Sequence, residues 1–117
     1  MQIKNKRVVV TGAASGIGKA LSVAFYEAGA QSVVAVDMNL EGAQDTANDV
    51  NGLAVEANVG QETDIIKVVD KANELSGGID IFCSNAGIGG VHGFMDVKTE
   101  DWQNIWEENV MSHIYAA

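Results

Sequence analysis

The chain has few basic residues, one cysteine and no long hydrophobic run, and each shortage excludes a class of protein. Seven basic residues stand against sixteen acidic ones, and the net charge of −9 argues against nucleic acid or an anionic membrane as partner. Cys83 has no second cysteine to pair with, so a reducing compartment is expected. No apolar stretch approaches the length of a membrane span, and the basic start at Lys4, Lys6 and Arg7 lacks the apolar run of a signal peptide. We therefore expect a cytoplasmic protein that binds neither nucleic acid nor membranes.

Strand-like and helix-like patterns alternate along the chain, without repeats or an evident linker. Runs rich in β-branched residues predict strands, and apolar residues at helical spacing predict helices between them. Continuous apolar strands joined by crossover helices form parallel sheets that are covered on both faces. The prediction is one α/β domain over residues 1–117, a Rossmann-like, doubly wound parallel sheet of about four β-α units. Strands are expected at residues 7–11, 32–37, 53–57 and 79–83.

Two predicted helices carry apolar stripes that we expect to face the core. The stripe of the first helix consists of Ile17, Ala20, Leu21, Ala24, Phe25 and Ala28. The last helix begins near Thr99, and its stripe consists of Trp102, Ile105, Trp106, Val110 and Ala117. Asn109 and His113 fall inside this second stripe. A buried amide without a hydrogen bond destabilises a fold by about 1–3 kcal/mol, so Asn109 is expected to be a structural clamp or a site residue. His113 is expected to be packed or to face an interface.

Three spaced glycines, Gly12, Gly16 and Gly18, join the first strand to the first helix. Gly12 can turn tightly with φ > 0, Gly16 lets the backbone approach a ligand, and Gly18 lets the helix pack closely on the strand. The helix N-terminus directs unpaired N–H groups and the positive end of its dipole at this turn. The segment is predicted to hold a diphosphate, with Ser15 and Ile17 among the binding residues. The alternative is a glycine-rich loop without a ligand.

An acidic residue, Asp37, ends the second predicted strand, nineteen residues after Gly18. In dinucleotide-binding sheets a carboxylate near this place receives the hydroxyls of the adenosine ribose. It would repel the 2′-phosphate of NADP, and neither Ala14 nor Met38 supplies a cation to neutralise that charge. Asp37 and Met38 are therefore predicted to bind the cofactor, with NAD favoured over NADP. The alternative is that Asp37 only caps the helix from Asn39 onward.

The glycine turn and two later motifs resemble those of the short-chain dehydrogenase/reductase family. The Thr11-Gly-x-x-x-Gly-x-Gly spacing is similar to the family's cofactor turn and differs from the general G-x-G-x-x-G. After the fourth strand, Asn85-Ala86-Gly87 looks like the family's Asn-Ala-Gly signature. The resemblance implies that this segment steadies the sheet centre and lets the backbone pass the cofactor ribose. The alternative is an ordinary loop.

The resemblance also implies roles for residues after the third strand and in the last helix. Asn58-Val59 stands where the family often has Asp-Val against the adenine. The amide oxygen of Asn58 could still accept a hydrogen bond there, and a turn Asn is the alternative. Asn109 matches the family's catalytic Asn, which holds a water in a proton relay. The implied protein is an NAD-dependent oxidoreductase for an alcohol/carbonyl pair, a homo-oligomer without a metal site.

The resemblance covers the whole chain but only the first half of a family domain, so the sheet is expected to be incomplete. The family's catalytic Ser, Tyr and Lys normally come later, and Tyr115 is not that Tyr because its Lys partner would be residue 119. We expect the 117-residue chain to bind NAD but to be inactive alone. One alternative is a noncatalytic nucleotide-binding half-domain that assembles with another chain. Another is a Rossmann-like protein with a different adenosine ligand, such as a nucleotide-sugar epimerase or a methyltransferase. His92 could line a substrate pocket or be solvated.

Overall fold

The computed structural model of the chain describes residues 1–89 and 94–117. Within these ranges the sheet consists of β1 (Arg7–Thr11), β2 (Ser32–Asp37), β3 (Leu53–Glu56) and β4 (Ile81–Cys83). The strands are parallel and lie in the order β3-β2-β1-β4. The register pairs Thr11 with Val36 and Asp37 with Glu56, so the carboxyl ends of neighbouring strands lie side by side. The predicted Rossmann-like parallel sheet is confirmed.

Helices cover both faces of this sheet, as the apolar strands predict. The helices α1 (Gly16–Glu27) and α2 (Leu40–Asp49) pack on one face, and α3 (Glu62–Ser76) packs on the other. Successive strand residues point to opposite faces, so β1 contributes to two cores. The first core contains Val8, Val10, Ala35, Ala43 and Ala47, with Leu21 and Phe25 against it. The second contains Val9, Val34, Val36, Val55, Val68 and Ala72.

The fourth strand begins at Ile81, two residues later than predicted, and Asp80 just before it bonds Arg7. The Asp80 carboxylate accepts hydrogen bonds from the Arg7 backbone N at 2.8 Å and from Nε and Nη2 at 2.9 Å each. The Asp80 backbone N donates to the Arg7 carbonyl at 2.9 Å. Arg7 Nη1 also donates to the Gly77 carbonyl at 2.6 Å. An ion pair with bidentate geometry thus joins the start of β1 to the start of β4.

The predicted core-facing stripe of α1 is only partly correct. Leu21 and Phe25 pack against the core, but Ile17 is 73% exposed, and Ala20, Ala24 and Ala28 are also exposed. The fully buried positions of α1 are Gly18 and Ser22. The buried Ser22 hydroxyl has a hydrogen-bond partner, because it donates to the Gly18 carbonyl at 2.9 Å. The side of the helix nearest the sheet therefore runs through a glycine and a serine, which a search for large apolar residues does not identify.

The C-terminal helical segment also differs from the prediction. It begins with a 3₁₀ turn (Phe94–Asp96) and continues as α4 (Thr99–Trp106), a π-helical turn (Glu107–Met111) and α5 (Ser112–Ala116). The predicted stripe does not face the core, since Trp102, Trp106 and Val110 are 50%, 53% and 37% exposed. The wider π-helical turn rotates the residues that follow it, and Ser112 is the residue that becomes buried. No helix in residues 1–89 and 94–117 is long and apolar enough to cross a membrane.

Candidate functional site

A cleft of about 430 Å³ lies at the carboxyl ends of the strands, where a parallel sheet of this kind binds its ligands. It contains every predicted cofactor-binding residue except Asn58. Its lining consists of Gly12, Ser15, Gly16, Ile17, Gly18, Asp37, Met38, Ala57, Val59, Asn85, Ala86, Gly87, Ile88 and Glu108. The residues predicted from four separate stretches of sequence therefore meet in one place, because the parallel register aligns the strand ends.

The glycine turn is built by close backbone packing. Gly12 has φ of +70°, and a Cβ on it would lie 2.9 Å from the Ala86 Cα. A Cβ on Gly18 would overlap the Gly12 carbonyl. Gly16 has φ of +55° and open space around it, so a Cβ there would extend into the cleft. Ser15 is the N-cap of α1, but its side chain makes no capping bond, which leaves the hydroxyl available to a ligand.

A hydrogen-bond network around Thr11 joins the glycine turn to the loop after β4. The Thr11 hydroxyl accepts from the backbone N of Asn85 at 3.0 Å and of Ala86 at 3.1 Å. The Asn85 side chain donates to the Thr11 carbonyl at 3.0 Å. Asn85 therefore holds two strand ends together at the edge of the cleft that it lines. The motif at Thr11 does not by itself predict this contact, because its partners Asn85 and Ala86 lie 74 and 75 residues later in the chain.

Asp37 is not the cap of α2, because the N-cap is Asn39, whose side chain accepts from the Gly42 backbone N at 3.1 Å. The Asp37 Oδ1 accepts from the Asn39 backbone N at 3.0 Å and so fixes the turn that leads into the helix. Its Oδ2 accepts from the Ala14 backbone N at 3.0 Å, which ties β2 to the glycine turn. The carboxylate also lines the cleft, and each oxygen has a further lone pair that can accept a hydroxyl hydrogen bond. The two backbone contacts of Asp37 are therefore compatible with a ligand in the cleft.

Asn58 lies outside the main cleft, in an adjoining depression that shares Met38 and Ala57 with it. Its side-chain oxygen accepts from the Gly60 backbone N at 2.9 Å. Its backbone N donates to the Asp64 carboxylate at 2.8 Å. Asn58 is therefore a turn residue, the alternative considered for it, and it also borders space beside the cleft. Val59, its neighbour, is 5% exposed and lines the main cleft.

Asn109 does not line the cleft itself but bonds Ile88, which does. Its Oδ1 accepts from the Ile88 backbone N at 2.9 Å, and its Nδ2 donates to the Ile88 carbonyl at 2.8 Å. A Cβ on Gly87 would lie 2.6 Å from the same Oδ1. Both ends of the amide are thus used to hold the loop after β4, which is the geometry of a structural clamp.

Glu108 lines the cleft and was not among the predicted residues. Its Cγ would be 3.2 Å from a Cβ on Gly60, so it packs against the turn after β3. Burial raises the pKa of its carboxyl group. The sequence does not single out Glu108, because Glu107 beside it is equally acidic and also packs against Gly60.

His113 and Tyr115 are not part of the described cleft lining. Partial desolvation and the Glu107 carboxylate raise the pKa of Tyr115, whose hydroxyl donates to Glu107 at 3.3 Å. His113 is exposed, and its Nδ1 lies 2.7 Å from the Ser84 hydroxyl. His92 falls outside the described residues. Residues 1–89 and 94–117 contain no group of His, Cys, Asp and Glu side chains that could hold a metal ion.

Comparison with known proteins gives a family match over most of the chain. The family model for short chain dehydrogenase matches residues 6–117. A similar curated protein is the 3-oxoacyl-(acyl-carrier-protein) reductase of Vibrio cholerae, 36% identical over 115 residues. The match covers 96% of this chain and 46% of that reductase. The chain thus spans about half the length of the curated relatives it matches.

Solved structures with the same fold contain either form of the nicotinamide cofactor. The 3-ketoacyl-(acyl-carrier-protein) reductase of Brucella melitensis, complexed with NADH, has a TM-score of 0.92 at 32% identity. The match covers 98% of this chain and 48% of that structure. The L-sorbose reductase of Gluconobacter frateurii, complexed with NADPH and L-sorbose, has a TM-score of 0.91 at 32% identity. All of this chain matches 46% of that structure.

Proposed function

Because the chain belongs to the short-chain dehydrogenase family, we propose that it forms the NAD-binding part of an oxidoreductase acting on an alcohol/carbonyl pair. The observation that carries the proposal is the cleft itself, where a glycine turn and a carboxylate lie at adjacent strand ends. NAD supplies the hydride-accepting ring of such a reaction when it is bound. The residues of this chain supply binding and orientation.

The cleft suits a dinucleotide on both steric and electrostatic grounds. The open backbone at Gly16 and the uncapped Ser15 hydroxyl leave room and a donor for the diphosphate at the N-terminus of α1. Asp37 is positioned beside the turn by Ala14 and is suited to the ribose hydroxyls. The described lining of the cleft contains no lysine or arginine, so a 2′-phosphate there would meet a carboxylate without a compensating cation. These features favour NAD over NADP.

The proposal extends to the substrate, the assembly and the location of the protein. The substrate is a small alcohol or carbonyl compound, in keeping with the L-sorbose reductase that shares this fold. We propose a homo-oligomer, because Trp106, Val110 and Ile114 are 53%, 37% and 60% exposed on the C-terminal helical segment. A cytoplasmic location is supported by the single thiol, Cys83.

Calorimetric titration of the purified chain with NADH and NADPH tests the cofactor assignment. We expect NADH to bind more tightly by about tenfold or more, which corresponds to ~1.4 kcal/mol. Asp37→Ala should remove this preference. Asp45→Ala, at an exposed position of α2, is the matched control and should retain it. Equal affinities for NADH and NADPH in the unmodified chain would overturn the assignment of Asp37, and binding of neither would overturn the proposed function.

A further inference from the structure

The orientation of the Asn58 amide determines which chemical group it presents beside the cleft. The Gly60 backbone N–H can only donate, so the atom that lies 2.9 Å from it must be the side-chain oxygen. An amide is planar, with its oxygen and nitrogen on opposite sides of one carbon. When the oxygen points to Gly60, the NH₂ group points away from it. Within the described residues Nδ2 has no hydrogen-bond partner, and Asn58 borders the depression.

The depression is the place where the base of a bound dinucleotide would lie. Met38 and Ala57 line both the cleft and this depression, which has a volume of about 230 Å³. A ligand with its diphosphate at the glycine turn and its ribose at Asp37 extends in this direction beyond Met38. This placement rests on the proposed function.

We propose that Asn58 presents a hydrogen-bond donor to the base, so that this chain binds a 6-oxo purine dinucleotide at least as well as the 6-amino one. A carboxylate in the same turn would accept from Gly60 with one oxygen and keep the other as an acceptor for the amino group of adenine. With Asn58, the second atom is an NH₂ group, which cannot accept from the 6-amino group of adenine and finds an acceptor only at the neighbouring N1. The carbonyl of hypoxanthine supplies an acceptor at the 6-position itself. Lys67 adds a second donor at the rim, although Glu56 and Asp64 are acceptors there.

Nicotinamide hypoxanthine dinucleotide provides the matching probe, because it differs from NAD at the base and has the same charge. The test measures, by calorimetry, the dissociation constants of the reduced forms of both dinucleotides. Each is measured with the unmodified chain and with Asn58→Asp. Since both ligands carry equal charge, their affinity ratio is not affected by the charge that the substitution adds. Asn104→Asp, at an exposed position of α4, introduces the same charge away from the depression and serves as control.

In the unmodified chain and in Asn104→Asp we expect the hypoxanthine dinucleotide to bind as tightly as NADH or up to about tenfold more tightly. Asn58→Asp should shift the ratio by about 3- to 10-fold toward NADH. A ratio that favours NADH strongly in the unmodified chain and does not change in Asn58→Asp would overturn the inference and place base recognition on Asp64 or Glu56. The proposed function stands in that case because NADH still binds. Failure of both dinucleotides to bind would overturn the proposed function and this inference together.

Discussion

The Asn109 side chain bonds both the backbone N–H and the backbone carbonyl of Ile88. Its Oδ1 lies 2.9 Å from the Ile88 N, and its Nδ2 lies 2.8 Å from the Ile88 O. A single side chain on the π-helical turn thus orients the loop that passes beside the cleft. The Asn109 amide therefore has a structural role in this chain.

Replacing Asn109 by Ala should destabilise the chain by about 1–3 kcal/mol, because two hydrogen bonds of about 0.5–1.5 kcal/mol each are lost. Urea unfolding followed by circular dichroism measures this difference. Asn104→Ala, on the exposed side of the preceding helix, should change the unfolding free energy by less than about 0.5 kcal/mol. Equal effects of the two substitutions would show that the contact with Ile88 contributes no stability.

The Arg7–Asp80 pair should make stability depend on pH in the acid range. The Arg7 hydrogen bonds hold the pKa of Asp80 well below its usual range. A lowered pKa in the folded state means that the pair stabilises the fold above the ordinary aspartate pKa of about 4 and that this stabilisation is lost as the pH falls. Asp80→Asn should therefore lower the Tm at pH 7 and have progressively less effect below pH 4.

An exposed ion pair in the same chain is the control for this prediction. Lys19 and Asp49 lie 3.5 Å apart with both side chains largely exposed. Asp49→Asn should change stability by about 0.5 kcal/mol or less, with little dependence on pH. A loss in Asp80→Asn that is no larger than in Asp49→Asn, or that is the same at pH 3 and pH 7, would contradict a specific contribution from Arg7.

Gly18→Ala should destabilise the chain although alanine is the better helix former. The gain in helix propensity is about 1 kcal/mol, but the new Cβ would overlap the Gly12 carbonyl and lie 2.8 Å from the Asn85 side-chain nitrogen. Overpacking of this kind costs about 1–3 kcal/mol or more. The melting temperature, measured by calorimetry, should fall. Gly89→Ala, which has open space around it, should leave it nearly unchanged, and a higher Tm for Gly18→Ala would contradict the close contact.

Glu108→Gln should raise the melting temperature at pH 7. Burial raises the pKa of Glu108, so its ionised form is less stable in the folded chain than in the unfolded one. This penalty is absent below the ordinary glutamate pKa of about 4.3 and grows as the pH rises through the folded-state pKa. The gain should therefore shrink when the same comparison is made at pH 4. Glu74→Gln, at an exposed position of α3, should show no such dependence, and a pH-independent effect of Glu108→Gln would contradict the prediction.

The sequence predicted the strands and the ends at which the cleft lies. Val8, Val9 and Val10 are buried on both faces of the sheet, and an uninterrupted apolar run of this kind is typical of a parallel strand between two helical layers. Asp37 follows such a run directly, and Gly12 follows one after Thr11. The change of residue type at these positions indicates where each strand ends. The sequence was less informative for α1, where the buried side runs through Gly18 and Ser22, and for α4, where the tryptophans point outward.

What the sequence determined by itself is local: where each strand ends and which small or acidic residue stands there. These features depend on backbone conformation and on residue spacing along one segment. Only the tertiary structure decided that Asp80 pairs with Arg7, that Asn109 holds Ile88, that Glu108 enters the cleft and that the Asn58 amide directs its oxygen to Gly60. Most of these relationships join residues far apart in the chain. The last depends on which way a single amide rotates, and a residue type alone does not specify a direction in space.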